Sequence, residues 1–208
     1  MLRIILLSFV SLFLTTACAT TVKQDYCAAH LASPIENFCE VIPNTLWRGA
    51  KPTKESTKWL IQIGVKTIIN LELIHDDADI LKEIPLAKTI DYYRVPTWEP
   101  FYAVAYDKAD EDVIRFLTIA KHAKPPIYVH CRAGENRTGV MIAAYKIILQ
   151  NQHSPEQVVA VIKEMQSYDG FWSNATTNYI QNLAWRYNQI KQKVEQAMII
   201  QPIKTFEH

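Results

Sequence analysis

The sequence predicts an α/β fold, with a mainly parallel central sheet of four to five strands and helices on both faces. Three observations predict it. Short runs rich in β-branched or aromatic residues, 65–73, 89–95 and 126–129, alternate with segments of helical period. Helices fill the connections between those runs, as a crossover between parallel strands requires. Finally, Pro126-Ile127-Tyr128-Val129 feeds a tight loop that opens directly into the apolar stretch Val140-Met141-Ile142-Ala143-Ala144-Tyr145. The chain of 208 residues is long enough for one domain with a substantial core. It holds no internal repeat, low-complexity tract or sign of a second domain.

Taken in order, residues 20–36 read as a tether with no clear period, and residues 37–208 as the folded domain. Asn37-Phe38-Cys39-Glu40-Val41 leads to Leu46-Trp47-Arg48-Gly49-Ala50-Lys51-Pro52, read as an edge strand that packs Leu46 inward and then turns. Arg48 reads there as a surface arginine, with reach to the phosphate site as the alternative. Thr53, with Ser56 three residues on, caps a helix whose apolar residues are Trp59, Leu60 and Ile63, and Gly64 ends it. Residues 65–73 form a central strand. Residues 76–84 form a short helix that Pro85 stops, and 89–95 form another strand.

A loop starting at Pro96-Thr97-Trp98-Glu99-Pro100 runs to about Asp107. Asp107 or Asp110 then caps a helix with Val113, Phe116, Leu117 and Ala120 on its apolar face. Lys124-Pro125-Pro126 breaks that helix. Farther on, His153-Ser154-Pro155-Glu156 starts a helix with proline at its first position. After a break at Gly170-Phe171-Trp172, one final helix spans about 174–197. It buries Tyr179, Ile180 and Leu183, with Trp185 and Ile190 as further candidates.

The N-terminus has the form of an export leader. Met1-Leu2-Arg3 is a short basic start, and 4–14 is an apolar run broken only by Ser8 and Ser11. Thr15-Thr16-Ala17-Cys18-Ala19 allows two routes: cleavage before Cys18, with a lipid on that cysteine as in bacterial lipoproteins, or cleavage after Ala19. Cleavage before Cys18 removes residues 1–17 and cleavage after Ala19 removes 1–19, and either way residues 1–19 stand outside the folded domain, which is then expected in the cell envelope or periplasm, or secreted. Export makes Cys27 and Cys39 candidates for a disulfide, with two free thiols as the alternative. Formal charge is +1, and loss of residues 1–17 removes only Arg3, leaving 21 basic and 21 acidic side chains. That balance implies no nucleic-acid partner. It also implies no polybasic membrane surface, so a membrane enters only through a lipid at Cys18.

The chemistry is concentrated in His130-Cys131-Arg132-Ala133-Gly134-Glu135-Asn136-Arg137-Thr138-Gly139. Loop amides that turn inward, together with the positive end of a helix, hold an anion. A thiol at that point is favoured as thiolate, with Arg137 adding a guanidinium. The pattern Cys-x5-Arg followed by Thr resembles the protein tyrosine phosphatase superfamily, and in length and layout its compact bacterial dual-specificity branch. The opening around Asn37-Phe38 and Trp47-Arg48-Gly49 is similar as well, so the resemblance covers roughly residues 37–190.

The resemblance implies a single-domain phosphatase fold and a cysteine-dependent phosphoric monoester hydrolase that needs no cofactor or metal. Cys131 would be the nucleophile, and Arg132, Ala133, Gly134, Glu135, Asn136 and Arg137 would hold phosphate. His130 would orient the loop, and Thr138 would assist when sulfur leaves. Arginine suits position 137 because its planar fork binds two oxygens at once. Gly134 is there for positive φ and Gly139 for close helix packing. His75, His122, His153 and His208 show no metal-ligand spacing. For the general acid the family supplies an Asp from the loop after an earlier strand. Here that loop offers Glu99, three residues past Pro96, and then Asp107 as second choice.

Substrates implied are phosphotyrosine, phosphoserine and phosphothreonine in proteins. Arg132, directly after the cysteine, makes inositol phosphates or phosphoinositides a close alternative. Other readings of the loop are rhodanese-like sulfur transfer, a phosphate-binding module without turnover, and a structural envelope lipoprotein. Arg137-Thr138 at this spacing argues against the first and intact Cys131 and Arg137 against the second. The third leaves the ten-residue match unexplained.

Overall fold

A computed structural model describes residues 33–165 and 171–203. The leader, Cys18, Cys27, Gly170 and His208 lie outside the described residues. Cys39 is buried and disulfide-bonded. The other half of the expected pairing, Cys27, is among the residues not described.

Five strands form one sheet: β1 (Cys39–Ile42), β2 (Leu46–Gly49), β3 (Thr67–Asn70), β4 (Asp91–Arg94) and β5 (Ile127–His130). Their order is β1-β2-β5-β3-β4, with β1 antiparallel to β2 and every other pair parallel. The expected edge strand, Leu46–Gly49, is therefore interior. All four of its residues are buried, and β1 takes the edge instead. The sequence of β1 explains the exchange: it carries Glu40, which a half-buried edge tolerates, and only Cys39 is fully covered.

β5 shows how one strand serves two faces. Ile127 and Val129 join a core with Val113, Phe116, Leu117, Val140 and Leu183. Tyr128 faces the other way and packs with Trp47, Leu60, Ile68 and Leu81. Helices cover both cores, as the fold class requires.

α1 (Lys54–Gln62) begins with the expected cap: Thr53 Oγ1 accepts from the Ser56 N–H at 3.2 Å, and Ser56 Oγ accepts from the Thr53 N–H at 2.8 Å. Gly64 follows the helix at φ +104°. α2 (Ala78–Lys82) is short, and a 3₁₀ turn at Pro85–Thr89 leads to β4. The loop after β4 contains its own short helix, α3 (Phe101–Val104), before α4 (Tyr106–His122). Neither Asp107 nor Asp110 caps α4. Ala105 stands at that position and makes no side-chain cap. Asp107 is exposed in the first turn, where its charge favours the helix dipole. Asp110 is buried, accepting from Tyr179 Oη at 2.9 Å and pairing with Arg186.

α5 (Asn136–Ala144) leaves the phosphate loop and continues through a π-helical turn at Tyr145–Leu149. α6 (Pro155–Glu164) has a full capping box from Ser154 and Gln157. The expected last helix is two, α7 (Phe171–Trp185) and α8 (Tyr187–Gln196). The break falls at Arg186, whose guanidinium is drawn back to Asp110. Ile190 is buried as expected. Trp185 is 86% exposed: it follows Leu183 by two residues, about 200° around α7, and so faces away from the stripe of Tyr179, Ile180 and Leu183.

Candidate active site

The parallel strands end level with one another: Gly49 lies opposite His130, His130 opposite Asn70, and Asn70 opposite Arg94. The C-terminal edge of such a sheet is where loops can surround a ligand. The segment 131–137 leaves β5 at that edge and enters α5.

The carbonyls of Arg132, Ala133, Gly134 and Glu135 each accept from a donor elsewhere in the fold. The Lys51 N–H donates to the Arg132 carbonyl at 3.1 Å. Asn37 Nδ2 donates to the Ala133 carbonyl at 2.9 Å and to Glu135 Oε1 at 3.2 Å. Arg48 grips the Gly134 carbonyl with Nε and Nη2, reaches the Glu135 carbonyl at 3.5 Å, and donates Nη1 to the Met165 carbonyl at 2.9 Å. A peptide unit whose carbonyl points out presents its N–H inward. Carbonyls anchored in this way leave the loop amides facing away from those contacts. Gly134, at φ +74°, is the pivot, and a Cβ there would overlap the Gly49 backbone. At Gly139 a Cβ would come within 2.5 Å of the Met165 carbonyl oxygen, so α5 needs glycine to approach α6 this closely.

Arg48 overturns its sequence reading. It is 1% exposed and lies under the loop, with its pKa lowered by burial to about 10 and still charged at neutral pH. The signal was present: a lone cation between Trp47 and Gly49 in an otherwise buried strand needs acceptors nearby. Asn37, at φ +55°, clamps the loop from the other side.

Cys131 is 3% exposed. Arg137 Nη1 lies 3.5 Å from the Leu71 carbonyl, and its Nε lies 3.9 Å from Glu99 Oε1. Thus Glu99 stands beside the loop. Asp107, the second choice, is exposed on α4. Arg132 is exposed, and Glu135 and Asn136 are partly buried. Arg137 Nε, Thr138 Oγ1 and the Tyr102 hydroxyl are buried without a hydrogen-bond partner. Such groups are open to a polar partner. Among the described residues, no group of three His, Cys, Asp or Glu side chains is placed to hold a metal ion.

Behind the loop His130 is fully buried. Its Nε2 is 2.7 Å from Asp77 Oδ2, and its Nδ1 is 3.3 Å from the Cys131 carbonyl. The other oxygen of Asp77 is 3.0 Å from His75 Nε2. Burial alone would raise the Asp77 pKa, but His130 and then His75 hold it below the ordinary carboxylate value. Asp77 had no motif to announce it.

Tyr102, also unannounced, is fully buried among the charges of Asp112, Arg137, Cys131 and Glu99. Burial, then Asp112, drives its pKa up. Burial followed by Glu111 also raises Asp112 itself, to about 6. Between the ordinary carboxylate value and about 6, folded Asp112 holds a proton that the unfolded chain has lost, so stability falls as pH rises through that window. Asp112→Asn should therefore stabilise the protein at pH 7 by about 1 kcal/mol after solvent screening, with the gain fading towards pH 4. Thermal melts of both proteins across that range measure it.

Residues 36–182 match the family described as DSP-PTPase phosphatase fused to NAD+ kinase. The chain belongs to the dual-specificity phosphatases of the protein tyrosine phosphatase superfamily. It is thus a phosphoric monoester hydrolase by family. The dual specificity protein phosphatase TpbA of Pseudomonas aeruginosa is 30% identical over 170 residues, covering 79% of this chain and 71% of that protein. The phosphatidylglycerophosphatase and protein-tyrosine phosphatase 1 of Homo sapiens is 45% identical over 139 residues, covering 61% of this chain and 64% of that one. A crystal structure of P. aeruginosa TpbA in complex with pTyr shares the fold, with a TM-score of 0.61 at 24% identity over 77% of this chain and 91% of that chain.

Proposed function

We propose that this phosphatase cleaves phosphate monoesters in two steps, with Cys131 as nucleophile. The thiolate attacks phosphorus in line, the S–P bond forms, and the P–O bond to the leaving group breaks. Glu99 gives its proton to the departing oxygen. Water then attacks phosphorus, giving a proton back to the Glu99 carboxylate, the S–P bond breaks, and phosphate leaves with the Cys131 thiolate restored. Arg137 and the loop amides hold the three equatorial oxygens throughout, and such preorganised donors are often the largest catalytic contribution. Thr138 offers its hydroxyl to the sulfur as it departs. The observation that carries the reading is the anchoring of the carbonyls of residues 132–135 by donors outside the loop, beside the buried thiol of Cys131; that anchoring supports a loop whose amides serve the phosphate.

The preferred substrates are phosphotyrosine, phosphoserine and phosphothreonine in proteins. Arg132 is exposed beside Cys131, which favours inositol phosphates or phosphoinositides as a second reading. The disulfide at Cys39 supports an exported protein, since such bonds persist in oxidising compartments. Its leader would end before Cys18, which then carries a lipid anchor, or after Ala19.

A panel of phosphopeptides, inositol phosphates and phosphoinositides tests the substrate reading. Preference for the inositol compounds, lost in Arg132→Ala, would reject the protein-phosphatase assignment. On an alkyl phosphate, whose leaving group needs a proton, Glu99→Gln should lower kcat by about 10²-fold or more and remove the basic limb of the pH profile. An unchanged profile would take the acid role away from Glu99.

A further inference from the structure

We propose that Asp77 is a positioning residue that holds His130 as the imidazolium directly behind Cys131. The inference rests on Cys131 acting as a thiolate and adds a residue outside the phosphate loop to the means of making one. Both ring nitrogens of His130 face acceptors: Nε2 meets the Asp77 carboxylate at 2.7 Å and Nδ1 the Cys131 carbonyl at 3.3 Å. A neutral imidazole has one N–H and would leave one of these contacts without a proton, whereas the imidazolium satisfies both. The ring is fully buried, so water does not serve the second nitrogen.

Asp77 is itself fixed as a carboxylate. Its side chain is 3% exposed, and its second oxygen meets His75. Its backbone N–H donates to Tyr92 Oη on β4 at 3.0 Å, and that hydroxyl donates to Asp76 Oδ1 at 2.8 Å. Asn70 Nδ2 also approaches the Tyr92 hydroxyl, at 3.3 Å, and Arg94 pairs with Asp76 at 3.3 Å. Around the ring, Tyr128 stacks on His130 with centroids 5.8 Å apart. On the far side of the loop stands Arg48, whose charge acts with Cys131.

These groups leave His130 between one anion and the residue that must become another. His130 precedes Cys131 in the chain, and its ring lies between the Asp77 carboxylate at Nε2 and the Cys131 carbonyl at Nδ1. A positive charge held there favours negative charge on the neighbouring cysteine. An Asp77→Asn side chain keeps the shape but removes the charge that retains the second proton.

The test is alkylation of Cys131 by iodoacetate in the full chain, followed on its own peptide by mass spectrometry from pH 4 to 8. Asp77→Asn should move the half-maximal pH up by about one unit, which is tenfold less thiolate at a given lower pH. In parallel, the ¹⁵N spectrum of His130 in the unsubstituted protein should show both ring nitrogens protonated at pH 7. Superimposed alkylation curves, with the variant folded, would overturn the proposal. So would a neutral His130 ring in the unsubstituted protein, and that measurement decides the matter if the variant does not fold. Alkylation reads the thiolate without turnover. An absence of phosphate hydrolysis would thus count against the proposed function and leave these curves to judge Asp77.

Discussion

Replacing Cys131 by serine should cut phosphate release from an aryl phosphate by about 10⁴-fold or more and abolish the stoichiometric burst of phenol. The size follows from what the site is built to do. The two-step reaction needs an atom that both attacks phosphorus and leaves it again. Thiolate sulfur does both readily, and a serine oxygen is a far weaker nucleophile without a base beside it. The loop in Cys131→Ser should still bind phosphate, because the amides and Arg137 are untouched. Rapid-quench measurement of the first turnover, with inorganic phosphate as a competing ligand, separates lost chemistry from lost binding. Unimpaired turnover would remove Cys131 from the mechanism. The same variant distinguishes a catalyst from a phosphate-binding module, for which substitution at Cys131 would change little.

How much of this was visible beforehand depends on the range of each interaction. The loop was legible because its geometry is local: ten consecutive residues carry the strand end, the pivot at Gly134 and the helix start. The α1 cap was legible for the same reason, since Thr53 and Ser56 are three residues apart. The order β1-β2-β5-β3-β4 was not, because pairing Leu46 with Ile127 spans most of the domain and leaves no local trace. Asp110 looked like a cap because its neighbours in sequence suit one. Its partners, Tyr179 and Arg186, lie on or beside helices far along the chain. Asp77 escaped notice similarly, 53 positions from the histidine it meets. Glu99 was reachable from its distance past Pro96 and stands beside Arg137. The loop that carries it coils into α3, which its aromatic composition did not announce.

Arg48→Met should cost about 3 kcal/mol of stability and slow turnover by about 10²-fold. Methionine approximates the volume, so the loss is not mainly a cavity. It comes from the acceptors left behind. Arg48 supplies donors to the Gly134 carbonyl and the Met165 carbonyl, both enclosed by α5 and α6. Replacing a buried ion pair by apolar residues can be neutral when both partners go. Here the partners are backbone carbonyls, which no substitution removes, and each is stranded without water.

The catalytic loss has a separate origin. With its outer donor gone, the peptide unit at Gly134 can rotate, and its positive φ makes rotation inexpensive for glycine. An inward carbonyl would oppose the phosphate. Arg48→Lys distinguishes the two effects. One ammonium on a flexible stem can reach a single carbonyl, restoring part of the stability without the two-pronged grip on Gly134. Melting temperatures and kcat/KM measured together on both variants check the argument. Turnover equal to that of the unsubstituted protein in Arg48→Met would show that the loop keeps its shape without a buried guanidinium beneath it.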